Sequence, residues 1–167
     1  NQYSDTFTIP EPYIPKYGSK IMSLQDPNRK MSKSDNNLNN IISLLDEPSI
    51  IKKKIKRAVT DSGSDIVFDE KRPGLANLMT IYSIATGNSI SKIESDYKGK
   101  MYSDFKNDLS DIIVDFLSPI QEEYALLMKD KTHIEKILKD GADKAVNKAY
   151  KTLDKVYRKI GLVKKIR

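Results

Sequence analysis

Between Phe105 and Leu127 a periodic set of apolar residues falls at Phe105, Leu109, Ile112, Ile113, Phe116, Leu117, Ile120, Tyr124 and Leu127. Steps of three and four hold these side chains on one stripe of an α-helix, because 3.6 residues complete each turn. A helix of that length cannot cover its own stripe, so the rest of the chain must supply apolar faces for it. Pro119 lies inside the stretch and is expected to bend it. The chain can meet the demand: Leu, Ile, Val and Phe make up 43 of 167 residues, above the roughly 20% below which charged chains stay disordered. One ordinary domain or two small ones fit the length.

Further helical periods frame this element. Leu38, Ile41, Ile42 and Leu45 predict a helix from Asn36 that stops at Asp46-Glu47-Pro48, and Pro48 suits the first turn of a second helix running through Arg57. Residues 60–71, with Asp61-Ser62-Gly63-Ser64-Asp65 ahead of Ile66-Val67-Phe68, read as a turn and a short extended piece. Pro73 opens a helix carrying Leu75, Leu78, Met79, Tyr82 and Ala85, which Gly87 can close in the left-handed conformation. A short helix follows Ser89 or Ser91. Thr132 and Glu135 have capping-box spacing. Gly141 punctuates before a last helix bearing Ala142, Ala145, Val146, Ala149, Leu153, Val156, Tyr157 and Ile160, ended by Gly161. In the first 35 residues, Pro10, Pro12, Pro15 and Gly18 surround two β-leaning runs, Thr6–Ile9 and Lys20–Leu24, read as loops around strands. No repeat or low-complexity tract is present. The fold class is mostly α with a small mixed N-terminal part.

Several chemistries drop out. Without cysteine there can be no disulfide, Cys-based zinc site, redox pair or thiolate nucleophile. No apolar run reaches the ~18–20 residues that span a bilayer, and the polar opening Asn1-Gln2-Tyr3-Ser4-Asp5 is no signal peptide. The chain does not open on Met, so it is expected to be part of something longer. His133, the one histidine, is expected as an exposed residue in a helix's first turn, and no metal site is assigned.

The formal charge of +6 is unevenly spread. Residues 129–167 hold thirteen Lys/Arg against five Asp/Glu, a net of +8, which leaves −2 for the preceding 128. This is either a surface that tracks nucleic-acid phosphates or the solvated faces of lysine-rich helices. Tyr150 and Tyr157 lie among the lysines but on or near the apolar stripe, so packing is expected of them. The run Lys52-Lys53-Lys54-Ile55-Lys56-Arg57 wraps around its helix and reads as solvated.

The segment that carries chemistry is Asp26-Pro27-Asn28-Arg29-Lys30-Met31-Ser32-Lys33-Ser34-Asp35, between a predicted strand and a predicted helix. Two lysines three positions apart, flanked by hydroxyl side chains in a loop, can set ammonium groups on adjacent phosphates while backbone N–H groups and hydroxyls donate further hydrogen bonds. In nucleotidyl transfer the barrier is dominated by charge on the attacked α-phosphate and the departing pyrophosphate. Cations that close on those oxygens late stabilise the transition state differentially. The plain alternative is an exposed Ser/Lys loop that binds nothing.

Lys30-Met31-Ser32-Lys33-Ser34 resembles the KMSKS signature of class I aminoacyl-tRNA synthetases. Ile21-Met22-Ser23-Leu24, Ile55–Ser62, Pro73-Gly74-Leu75-Ala76-Asn77-Leu78 and Gly99-Lys100-Met101-Tyr102 resemble the bacterial tryptophanyl-tRNA synthetase family over all 167 residues, as roughly its C-terminal half. The resemblance implies Lys30 and Lys33 as catalytic cations, with Ile21, Lys30, Met31, Ser32, Lys33 and Ser34 binding ATP. Met31 would either approach the adenine or anchor the loop. Residues 1–35 would close a Rossmann-like catalytic domain, and 36–167 would form a helical anticodon-binding domain whose last helix returns to the catalytic part. ATP with Mg2+, tryptophan and tRNA(Trp) are the implied substrates, in a cytoplasmic homodimeric parent without membrane attachment. Lys144, Lys148 and Lys151 become expected tRNA contacts. The family's HIGH-type motif needs histidines that this chain lacks, and the tryptophan pocket lies mainly outside it, so the chain alone is expected to be inactive. Two alternatives stand beside this reading: a piece of a tyrosyl-tRNA synthetase, and a non-catalytic helical tRNA-binding module.

Overall fold

The computed structural model describes residue 2, residues 4–15 and residues 18–163. Among the described residues five α-helices form where periodicity meets suitable termini: α1 (Pro48–Lys56), α2 (Pro73–Thr86), α3 (Ile90–Asp96), α4 (Tyr102–Leu127) and α5 (Lys131–Ile160). Proline opens α1 and α2, where its missing N–H would have had no partner anyway. Ser89 caps α3 by accepting from the Lys92 N–H. Gly87 and Gly161 close α2 and α5 with positive φ, as expected. The contacts divide the chain into two compact units, residues 14–123 and residues 1–13 with 124–167.

In the unit of residues 14–123, the stripe of α4 finds its cover. Phe105, Leu109, Ile113 and Leu117 are buried against Ile51 and Ile55 of α1, Leu75, Leu78 and Met79 of α2, and Ile93 of α3. At the centre the Tyr82 and Phe105 rings stack with centroids 5.7 Å apart. Tyr97 meets both edge-on at 5.8 and 5.0 Å, geometries worth about 0.5–1.5 kcal/mol each beyond area burial. Lys54 is buried too, with its ammonium 2.6 Å from Asp46, so the basic run of α1 is not wholly solvated. In the other unit, α5 buries no residue. Its apolar positions Val146, Ala149, Tyr150, Leu153 and Val156 line an open groove together with Phe7, and Lys159 donates to the Asp5 carbonyl at 2.5 Å.

Four expectations are corrected. The helix from Asn36 to Leu45 is only a 3-10 turn, Leu38–Asn40. Asp35 and Asn37 side chains accept from the N–H groups of Asn37 and Asn39, and Gln121 donates to the carbonyls of Leu44 and Asp46, so side chains take backbone groups that an α-helix would use for its own bonds. Neither Thr6–Ile9 nor Lys20–Leu24 is a strand; among the described residues there is one isolated bridge, Met22 to Lys30. Residues 21–24 spread their backbone bonds over Arg29, Met31, Asn40 and Val59 and over the Asn77 side chain, so no continuous ladder with one strand forms. Gly141 does not interrupt: α5 passes straight through it. Asp130, not Thr132, caps α5, accepting from the His133 N–H at 3.0 Å. Pro119 sits inside α4, which continues to Leu127.

Candidate functional site

The Lys30–Ser34 loop grows from a two-residue antiparallel pairing. Ser23 N–H donates to the Arg29 carbonyl at 2.8 Å and Met31 N–H to the Ile21 carbonyl at 2.9 Å, so Met22 and Lys30 lie directly opposite between the two bonds. The turn joining them is braced by the buried Ser23 hydroxyl, which accepts from Gln25 and Asp26 N–H groups at 3.3 and 3.2 Å. Alternation across such a pair sends neighbours to opposite faces. Ile21 and Met31 turn inward and pack on the core, where they line an apolar groove of about 160 Å³ with Ile42, Ile81 and Phe116. Lys30 is carried to the exposed face.

Past Met31 the chain turns again, with Asp35 N–H donating to the Ser32 carbonyl at 3.0 Å. The Ser32 and Ser34 hydroxyls lie 3.0 Å apart, and Lys33 between them is exposed. Asp35 ends the loop. The Asn37 N–H and then the Asn40 amide, 2.9 Å from Oδ2, hold its carboxyl below the usual carboxylate range, with Arg29 adding to the effect. Among the described residues neither Lys30 nor Lys33 forms an ion pair. The loop therefore offers two uncompensated ammonium groups and two hydroxyls on one exposed turn.

Reading the sequence missed the base of this loop. Asn77 of α2 is buried, and its carboxamide bonds the Met22 backbone twice: Oδ1 accepts from Met22 N–H and Nδ2 donates to the Met22 carbonyl, both at 2.8 Å. The signal was a polar residue inside the apolar run Gly74-Leu75-Ala76-Asn77-Leu78-Met79. On the other side, Leu24 N–H donates to the Asn40 carbonyl at 3.0 Å and Val59 N–H to the Leu24 carbonyl at 2.8 Å.

The remaining predicted residues do not join this loop's unit. Lys144, Lys148 and Lys151 are exposed on α5, on one side of the helix by their four- and three-residue spacing. His133 is exposed in the first turn of α5. Among the described residues no group of three or more His, Asp or Glu could hold a metal ion, and no helix is long and apolar enough to cross a membrane.

A family model described as tRNA synthetases class I (W and Y) matches residues 1–118. The chain belongs to that family. Among class I synthetases it is 52% identical over 167 residues to a tryptophan–tRNA ligase of Listeria monocytogenes serotype 4b (strain F2365), covering 99% of this chain and 50% of that one. A tryptophan–tRNA ligase of Clostridium perfringens (strain 13 / Type A) is 50% identical over 163 residues, covering 98% and 49%. The fold is similar to crystal structures of two tryptophanyl-tRNA synthetases. That from Mycoplasma pneumoniae has TM-score 0.81 and 32% identity, over 89% of this chain and 45% of that one. That from Campylobacter jejuni, solved with ADP and tryptophan, has TM-score 0.65 and 27% identity, over 96% and 49%. The chain spans about half the length of the curated relatives it matches.

Proposed function

We propose that this chain supplies the KMSKS-loop half of an ATP-dependent tryptophan–tRNA ligase, which activates tryptophan as an adenylate and transfers it to tRNA(Trp). The observation that carries the reading is the pair of unpaired ammonium groups, Lys30 and Lys33, on a braced exposed turn in a class I synthetase chain. As catalytic cations they neutralise the pyrophosphate that departs when the tryptophan carboxylate attacks the α-phosphorus. Ser32 and Ser34 donate to the same phosphates, and Ile21 and Met31 border the nucleotide. Mg2+ arrives on the ATP phosphates as part of the substrate. Residues 1–35 complete a Rossmann-like catalytic domain, and residues 36–167 form the helical anticodon-binding domain, with α5 returning to the catalytic part. Lys144, Lys148 and Lys151 face the tRNA. The tryptophan pocket and the homodimer contacts belong mainly to residues that the relatives carry and this chain does not, and the whole protein works in the cytoplasm.

The tyrosine-specific alternative shares the family model, which covers both amino acids; identity near 50% to tryptophan enzymes along the whole chain supports the tryptophan reading. Charging tests it directly. A full-length protein carrying this sequence is expected to charge tRNA with tryptophan and not with tyrosine. Lys30→Ala/Lys33→Ala is expected to slow adenylate formation by at least about 100-fold, since electrostatic groups aimed at developing charge are each worth that order. An unchanged adenylation rate would remove the loop from the reaction. The isolated chain is expected to show no tryptophan-dependent pyrophosphate exchange, because cations without a positioned carboxylate and α-phosphate lack the proximity contribution.

A further inference from the structure

Met22 and Lys30 face each other as a pair that exchanges no hydrogen bonds; the bonds lie on either side, at Ser23–Arg29 and Ile21–Met31. In such a pair the N–H and C=O of each residue point away from its partner. Those of Met22 therefore point toward α2, where the Asn77 carboxamide takes both at 2.8 Å. The carboxamide occupies the place of a neighbouring strand. An apolar residue at 77 would leave two backbone groups unpaired in a site where Asn77 itself is only 6% exposed. Two cross-bonds alone make a marginal ladder, so the orientation of the pairing depends on this outside support.

We infer that Asn77 is a positioning residue for the loop: by clamping the backbone of Met22 it fixes the register of the Met22–Lys30 pair, and so the direction in which the Lys30 ammonium leaves the turn. The inference rests on the proposed role of Lys30. Asn77 touches no substrate and acts through Lys30. Gly74, one turn earlier on α2, makes the reach possible, since a Cβ there would run into the Val59 carbonyl oxygen, and Val59 is itself bonded to Leu24.

The test is a double-mutant cycle in a full-length ligase carrying this sequence, using single-turnover adenylate formation per active site. Asn77→Leu is expected to lower the rate about tenfold or more, the scale on which small misplacements act, with KM for tryptophan unchanged. In a Lys30→Ala background the same substitution is expected to add less than about twofold, because residues acting through one another are non-additive. Equal losses in both backgrounds, or a full rate in Asn77→Leu, would overturn the inference. Asn77→Asp, which keeps the shape and the Met22 N–H bond but sets a second oxygen against the Met22 carbonyl, carries the same cycle if Asn77→Leu does not fold. Lys30→Ala/Lys33→Ala with an unchanged rate would defeat the loop reading and this inference together. A slow lysine variant beside a fast Asn77 variant defeats the inference alone.

Discussion

At Asp61 one carboxylate accepts from three groups at once. Arg72 meets it with two nitrogens at 3.1 and 3.2 Å, Gly63 N–H at 2.7 Å and the Tyr102 hydroxyl at 2.8 Å, so the carboxylate ties the turn after α1 to the starts of α2 and α4. Burial alone would push its pKa up, but the Arg72 bond, then Gly63 and Tyr102, outweigh it and hold the carboxyl at about 2 against an ordinary 3.8. A depressed folded-state pKa gives stability that is present above the unfolded value and lost as pH falls toward the folded one. Thermal unfolding is therefore expected to show a midpoint that drops between pH 3.8 and about 2. Asp61→Asn should flatten that limb and cost about 1 kcal/mol at neutral pH, after allowance for solvent screening. A limb of unchanged steepness in the variant would assign the acid sensitivity to other carboxylates.

At the scale of elements, two glycines that look alike in the sequence do opposite things. Gly74 lets the first turn of α2 lie against the backbone of Val59 and Thr60, so Gly74→Ala must force them apart and is expected to cost about 1–3 kcal/mol. Gly141 sits in the interior of α5 with open space around it, where Gly→Ala is expected to stabilise by about 0.5–1 kcal/mol. Thermal midpoints of the two variants should move in opposite directions. The contrast shows what the sequence could tell. The ends of α2 were legible because Pro73 and Gly87 act through their own φ, a property of one residue. The path of residues 36–46 was not, because Gln121, far along the chain, holds its carbonyls. The five letters of the lysine loop were legible as chemistry, whereas the Asn77 clamp depends on α2 and the loop meeting 55 positions apart.

Over the whole chain, positive charge collects where burial is least. The last 39 residues carry the net of +8, and α5 buries nothing. Its spacing puts Lys144, Lys148 and Lys151 on one side and Val146, Ala149 and Leu153 toward the other, as expected for an amphipathic helix whatever its partner. Distribution alone therefore does not separate a solvated face from a polyanion-binding one. Salt does, because a phosphate neutralised by lysine releases a counterion and a solvated face releases none. If the stripe meets tRNA, replacing the three lysines with Glu in a full-length protein carrying this sequence should weaken binding and reduce the slope of log K against log salt by roughly 2–3 units. Filter binding between low and physiological salt reads both quantities. An unchanged slope at low salt would mean that tRNA meets other cations, and these lysines would then serve only to keep the outer side of a long helix in water.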